Sequence, residues 1–197
     1  MKKVKLFYLI AVLALLSVSV VTFSGIVQAG TVPDGFMGVP WGANKAQVIK
    51  TMSEQGYQQL TCVQAGIDDL CFQGVFAEAS CVLEFSFTGN SFYEGRARHC
   101  NRSESPDWPQ LTFKNIVDML SEKYGPPTKR GSEMEPGGYP RSSAVWHLVD
   151  NRSSDKYLIV VKCELRGFIT GAQYVVDVFY GASSLEERLK KNAKNLY

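Results

Sequence analysis

The sequence predicts an α+β protein made of tandem helix-plus-antiparallel-sheet repeats, with the helices packed on one face of the sheet. Two amphipathic segments, each ended by a glycine, are predicted helices because their apolar residues recur at helical spacing. Each is followed by short β-rich segments that Gly, Asp and Asn turn signals separate. The order of a helix followed by antiparallel strands therefore occurs twice. Hydrophobic residues make up 45% of the chain, enough for a sizeable core.

The first 29 residues have the pattern of a signal peptide. Three lysines precede an apolar run over Leu6–Phe23, and Val27 and Ala29 occupy the small-residue positions of a cleavage site. We expect cleavage after Ala29 and an exported protein, periplasmic or secreted. The apolar run is long enough to approach a membrane crossing, so an uncleaved, membrane-anchored form is the alternative.

The charge balance argues against nucleic acid as a partner. The full chain has a formal net charge of +2, and removal of the three leader lysines leaves −1. A nucleic-acid-binding surface needs clustered Lys and Arg, and no such stretch follows the leader except the short tail at Lys190, Lys191 and Lys194. We therefore expect a protein or a small molecule as the partner.

The first repeat is assigned to residues 30–104 and opens with an aromatic turn that leads into a helix. Asn44 and Gln47 have the spacing of a capping box, and Gly56 ends the helix. Three apolar residues are expected to share its buried face: Ala46, Ile49 and Met52. Four strands are predicted after it: Tyr57–Val63, Leu70–Phe76, Cys81–Thr88 and Phe92–Cys100.

The last two of these strands can be set in register as a hairpin with a loop at residues 89–91. One face then carries four pairs: Phe87–Tyr93, Phe85–Gly95, Leu83–Ala97 and Cys81–His99. The other face pairs Glu84 with Arg96, a charge pair that a one-residue slip would destroy. We therefore expect a sheet with one apolar face under a helix and one open face that carries charges.

The second repeat is assigned to residues 105–182. Its helix is predicted to run from Thr112 as N-cap to Gly125 as C-cap, where Pro126 prevents continuation. The Gly- and Pro-rich segment Gly131–Ser143 is predicted to be a mobile loop. Three strands are predicted after it: Ala144–Val149, Lys156–Leu165 and Ala172–Tyr180. A C-terminal helix is assigned to residues 183–197.

Five cysteines in an exported protein indicate disulfides, and the odd number leaves at least one thiol free or intermolecular. A Cys62–Cys71 bridge is the first choice because a short loop joins the strands that carry these residues. A Cys81–Cys100 bridge ranks lower, since the hairpin register puts the two on opposite faces. Cys163 is expected to be a buried, unpaired thiol. The spacings match no metal or haem motif, so neither a metal nor a cofactor is predicted.

No catalytic residue is predicted. His99 and Cys100 are neighbours on a strand, where successive side chains point to opposite faces, so they cannot form a dyad without a bulge. His147 lies in an apolar strand with no acidic residue at a spacing that would orient it. Both histidines are interpreted as structural. The alternative is a hydrolase or thiol enzyme that uses Cys100 or Cys163 with a histidine.

Trp108 and Tyr139 are the candidate contact residues for a ligand or partner. They fall in a predicted connector and a predicted loop, where aromatic side chains offer contact area at low entropic cost. Trp41 and Trp146 are assigned to packing instead, because one belongs to the turn before the first helix and the other to an apolar strand.

Two segments carry a resemblance to known proteins: Gly38-Val39-Pro40-Trp41-Gly42 and Tyr124-Gly125-Pro126. They resemble segments of small exported bacterial proteins, and the helix-then-sheet order is similar to that of the beta-lactamase inhibitory protein family. The resemblance implies a disulfide after each helix and a concave, aromatic-rich sheet surface that grips a partner protein. Cys62 and Cys71 match the first disulfide by position, whereas the second repeat has only Cys163. A binding face is thus implied, without inhibition of a beta-lactamase.

Together these features predict an exported, non-catalytic binding protein that recognises a protein or small ligand through its open sheet face and loops. The expected partner is an envelope or secreted protein. An envelope structural component is the first alternative, and the Cys/His enzyme is the second.

Overall fold

The computed structural model describes residues 31–62, 69–100, 108–135, 139–168 and 171–194. The predicted signal peptide, residues 1–29, lies outside these ranges. Three helices are described: α1 (Lys45–Glu54), α2 (Trp108–Tyr124) and α3 (Ser183–Lys194). Ten strands accompany them: β1 (Gly35–Phe36), β2 (Val39–Pro40), β3 (Gln58–Leu60), β4 (Leu70–Phe76), β5 (Ala79–Thr88), β6 (Ser91–Cys100), β7 (Lys129–Glu135), β8 (Tyr139–Val149), β9 (Lys156–Phe168) and β10 (Gly171–Gly181).

Eight of these strands form one antiparallel sheet in the order β3-β4-β5-β6-β10-β9-β8-β7, which confirms the α+β class. Each half of the chain supplies one helix and then four strands, and the halves meet where β6 pairs with β10. The interpretation of the two halves as repeats stays a prediction. The two remaining strands, β1 and β2, form a separate small hairpin.

The predicted β5–β6 register is observed at four positions, including Glu84 opposite Arg96 and Leu83 opposite Ala97. Near the turn a bulge shifts it, so Phe87 faces Phe92 and not Tyr93. A bulge places two residues of one strand against one of the other, a feature that alternation in the sequence does not reveal. The prediction was therefore wrong for that one pair.

The core lies on the face of the sheet that carries Leu83, Ala97 and Val178, all fully buried. Ile116 and Leu120 of α2 belong to the same core. Trp146 is also fully buried, and its indole Nε1 donates a hydrogen bond of 2.8 Å to the Gly125 carbonyl, which ties β8 to the end of α2. The predicted packing role of Trp146 is confirmed.

Helix α1 begins and ends as predicted. The Asn44 side chain accepts from the Gln47 backbone N–H at 2.9 Å, the Gln47 side chain accepts from Asn44 N at 2.8 Å, and Gly56 has φ +80°. Its buried residues, however, are Val48 and Met52, while Ile49 is exposed. The predicted buried face of α1 was thus wrong: it omitted Val48, so it was rotated around the helix relative to the observed buried face.

Two boundaries in the second half differ from the prediction. Helix α2 begins at Trp108, four residues before Thr112, with Pro109 in its first turn, where a missing N–H costs no helical hydrogen bond. Most of the predicted mobile loop Gly131–Ser143 is strand, because β7 pairs with β8 from Lys129–Val145 to Glu135–Tyr139. Only residues 136–138 of that segment lie outside the described part.

The helices have different neighbours in the sheet. Helix α1 contacts β2 and β3, α2 contacts β8, β9 and β10, and α3 contacts β5, β6 and β9. The packing of all helices on one face stays a prediction. Across the ranges that the structure covers, no helix has the length and apolar character needed to cross a bilayer.

Candidate functional site

The sheet face opposite the core is lined by charged residues, which we call the charged face. Strand alternation places them there, because successive side chains point to opposite sides. Its charged residues are Glu84 on β5, Arg96 and Arg98 on β6, Asp177 on β10, Lys162 and Glu164 on β9, and Arg141 on β8. Phe179, Ser143 and valines such as Val160 and Val175 lie on the same face.

Asp177 is the centre of an ion-pair network on this face. Both of its carboxylate oxygens accept from Arg96, with Nε–Oδ1 at 3.1 Å, and Arg98 Nε lies 3.4 Å from Oδ1. Arg98 Nη1 also lies 3.1 Å from Glu84 Oε1. The predicted Glu84–Arg96 pair is present at 3.7 Å, although it is the longest contact in the network.

These charges are largely removed from water. The side chain of Asp177 is 1% exposed and that of Glu84 is 11% exposed. Burial raises the pKa of the Glu84 carboxyl, and the neighbouring guanidinium groups of Arg98 and Arg96 oppose that rise. The two acids and the two arginines neutralise one another in an environment of low dielectric. A buried charge without its partner would destabilise the fold, so these four side chains are held in fixed positions.

Phe179 lies beside this network with a cation on each side. The guanidinium carbon of Arg96 is 4.3 Å from the centroid of the Phe179 ring, and Lys162 Nζ is 5.9 Å from it. The ring is partly exposed. Cation–π contacts of this kind fix the orientation of the ring and leave part of it available for contact.

A shallow cavity of about 270 Å³ lies further along the charged face, towards the β7 edge. It is lined by Gly131, Glu133, Arg141, Ser143 and Lys162. Arg141 Nη2 lies 3.2 Å from Glu164 Oε2, and the Arg141 side chain keeps 42% of its surface exposed. This end of the face therefore presents charged groups of both signs and a hydroxyl group to the solvent.

The two contact residues predicted from the sequence lie on elements other than β10, the strand that carries Phe179. Trp108 is the first residue of α2 and packs, partly buried, against the core, so it is not in a connector. Tyr139 is the first residue of β8 and pairs with Glu135, so it is not in a loop. The side chain of Tyr139 is outside the described part, and its contact role stays a prediction.

The disulfide prediction is confirmed: Cys62 and Cys71 are bonded, with an S–S distance of 2.11 Å. Cys81 and Cys163 are free and buried, which agrees with the low rank of a Cys81–Cys100 bridge. Burial raises the pKa of Cys81 to about 12 and that of Cys163 to about 11. A nucleophilic cysteine needs the thiolate form, so neither environment activates its sulfur.

The two histidines differ in their surroundings. His99 follows Arg98, which is opposite Val82, so the register brings His99 next to Cys81, whose raised pKa keeps its thiol protonated. His99 is fully buried, and neither ring nitrogen has a hydrogen-bond partner of normal geometry in the described part of the chain. Cys163 is two strands away from it across β10, roughly 10 Å by the spacing of strands. His147 is exposed on β8. Among the residues that the structure describes, no three His, Cys, Asp or Glu side chains converge on a metal position.

No family model, curated protein or solved structure matches the chain. The similarity to the beta-lactamase inhibitory protein family is therefore an expectation that rests on the helix-then-sheet order of the sequence.

Proposed function

We propose that this chain is an exported, non-catalytic binding protein whose charged face recognises an envelope or secreted protein. The observation that carries the proposal is Phe179: a partly exposed aromatic ring that two cations, Arg96 and Lys162, hold in place in the middle of the sheet. Aromatic and arginine side chains at a fixed position are the usual anchors of protein interfaces.

The surroundings of Phe179 favour a protein over a small ligand at this surface. Arg141 and Ser143 on β8 and Lys162 and Glu164 on β9 extend the charged face over two further strands with both signs of charge. Such a surface is broad and shallow, which suits a protein partner with complementary charges around an apolar centre. The rigid Arg96–Asp177 pairs would lower the entropic cost of binding, because these side chains are already ordered.

Export is the second part of the proposal. The predicted leader supports it, and the Cys62–Cys71 disulfide is compatible with an oxidising compartment. A membrane-anchored form is the alternative if the leader is not removed, and a structural role in the envelope is the alternative to the binding function.

The proposal is tested by capture of partners from the exported fraction of the producing cells on immobilised protein, residues 30–197. Phe179→Ala should weaken capture of any specific partner by roughly 30-fold, the effect of losing an interface anchor. Lys162→Glu should weaken it as well. Lys50→Glu is the matched control, because Lys50 is a solvent-exposed lysine on α1, remote in sequence from the charged face.

Trp108→Ala and Tyr139→Ala belong in the same experiment. If Tyr139→Ala lost capture while Phe179→Ala kept it, the partner would bind at the β7–β8 hairpin and not at Phe179. Equal capture by wild-type protein, Phe179→Ala and Lys162→Glu would contradict a role for the charged face, provided that thermal melting shows the variants to be folded.

A further inference from the structure

A second concave surface lies away from the charged face, at the C-terminal end of α2. The cleft has a volume of about 500 Å³, within the usual range of small-molecule sites. The β1–β2 hairpin forms one wall and the last turns of α2 form the other. Phe76 at the end of β4 and Tyr180 on β10 lie between these walls. The main sheet and the small hairpin therefore contribute to one site.

The floor of the cleft is aromatic and uncharged. The ring centroids of Phe36 and Tyr180 are 5.3 Å apart, and Phe76 lies 6.2 Å from each of them. Tyr180 is buried, its side chain is hydrogen-bonded to that of Tyr124, and burial raises its pKa well above the ordinary value. The phenol therefore stays neutral, and the floor suits an apolar or aromatic group.

The rim of the cleft has the opposite character. Asp34 and Glu122 are exposed carboxylates on either side of it. Helix α2 ends here at Tyr124, and the C-terminal end of a helix carries a partial negative charge. The single lysine among the lining residues, Lys123, has its Nζ 5.1 Å from the Tyr124 ring centroid. Lys123 thus already lies over the Tyr124 ring at this rim. Two carboxylates against one lysine leave the rim with a net negative charge.

From this combination we infer that the cleft binds a small ligand that joins an aromatic or aliphatic group to a positively charged amine. The apolar part lies on Phe36, Phe76 and Tyr180, and the ammonium group lies between Asp34, Glu122 and the end of α2. A carboxylate at the same position would meet two acids and the negative end of the helix. This inference goes beyond the proposed function, because none of these residues belongs to the charged face.

Three probes that share a phenylethyl group and differ in charge test the inference on the folded chain, residues 30–197: 2-phenylethylamine, 2-phenylethanol and 3-phenylpropionate. Titration followed by NMR should show saturable binding of the amine with a Kd of about 1 mM or tighter. The alcohol should bind about 2- to 5-fold more weakly, the effect of a charge at a helix terminus, and the acid more weakly still.

Glu122→Lys should weaken amine binding by at least the same 2- to 5-fold factor and improve binding of the acid. The matched control is Glu54→Lys, at the exposed C-terminal end of α1, which should leave the order of the three probes unchanged. The inference is overturned if the amine does not bind below about 10 mM, if the three probes bind equally, or if Glu122→Lys leaves the amine affinity unchanged.

The two proposals can fail separately. Phe179→Ala should weaken capture of a protein partner and leave amine binding unchanged, whereas Glu122→Lys should weaken amine binding and leave capture unchanged. If Glu122→Lys also lost partner capture, the cleft would belong to the protein interface and would not be a separate small-molecule site.

Discussion

At the level of single residues, the ion-pair network of the charged face is centred on one side chain, that of Asp177. Its carboxylate accepts from Arg96 and Arg98, while Glu84 shares the same two guanidinium groups. The sequence predicted the Glu84–Arg96 pair because both residues lie in one hairpin, whose register follows from alternation. Asp177 is 81 residues from Arg96 in the chain, so only the β6–β10 pairing reveals their contact.

Asp177→Asn should destabilise the fold by about 3–5 kcal/mol, the usual cost of breaking a buried ion pair. The amide keeps the shape of the side chain but leaves two arginines facing one acid. Urea unfolding measures the change. Asp118→Asn, in the exposed Lys114–Asp118 pair, is the control and should cost less than about 0.5 kcal/mol. A cost below about 1 kcal/mol for Asp177→Asn would show that the network is not a stabilising element.

His99 should make stability depend on pH. Burial lowers the pKa of its imidazole in the folded protein, so below about 6.5, the ordinary value, the unfolded chain binds a proton that the folded chain does not. The stability that depends on neutral His99 is fully present above about pH 6.5 and is lost as the pH falls towards the pKa of His99 in the folded protein. Glu84 and Glu94 act in the opposite sense, because burial raises their pKa in the folded state.

Comparison with His99→Leu isolates this effect. The variant should lose less stability than the wild type between pH 7 and pH 5, and should gain about 1–3 kcal/mol at neutral pH because a buried polar ring without a hydrogen bond of normal geometry is removed. Chemical denaturation at several pH values provides both numbers. Parallel pH profiles for the two proteins would mean that His99 does not titrate in this range.

At the level of elements, the β1–β2 hairpin is held against the main sheet by Phe36 and Gly95. A Cβ atom at Gly95 would lie 2.3 Å from the Phe36 ring, so the glycine makes room for it. Gly95→Ala should cost about 1–3 kcal/mol through overpacking. Gly181→Ala is the matched strand control, since its Cβ would meet nothing closer than 4.0 Å. Similar melting temperatures for the two variants would contradict this packing.

The same elements show what local sequence can predict. Capping residues and alternation placed α1, β5 and β6 correctly, because the signals are contained within a few residues. Strand β7 was missed because Gly131 and the prolines at 136 and 140 indicate a loop, whereas pairing with β8 makes the segment a strand. Tertiary pairing overrides weak local preference, and a single sequence does not report it.

For the whole molecule, the Cys62–Cys71 disulfide joins β4 to the segment after β3, at the edge of the sheet. Reduction should lower stability by about 2–3 kcal/mol, the entropy of opening a loop of this length in the unfolded chain. Hydrogen exchange should quicken first in β3 and β4, and β8, β9 and β10 should stay protected. Uniform loss of protection would mean that the edge and the centre of the sheet unfold together.

The central claim is that the charged face contacts a protein partner after export. Photo-crosslinking tests it most directly, with a photoreactive residue in place of Ser143, which is opposite Lys162 on that face, or in place of the exposed Ile49 on α1 as control. The account predicts a specific crosslinked product from position 143 that excess wild-type protein removes and excess Phe179→Ala does not. Equal crosslinking from both positions, or products from position 49 alone, would contradict it.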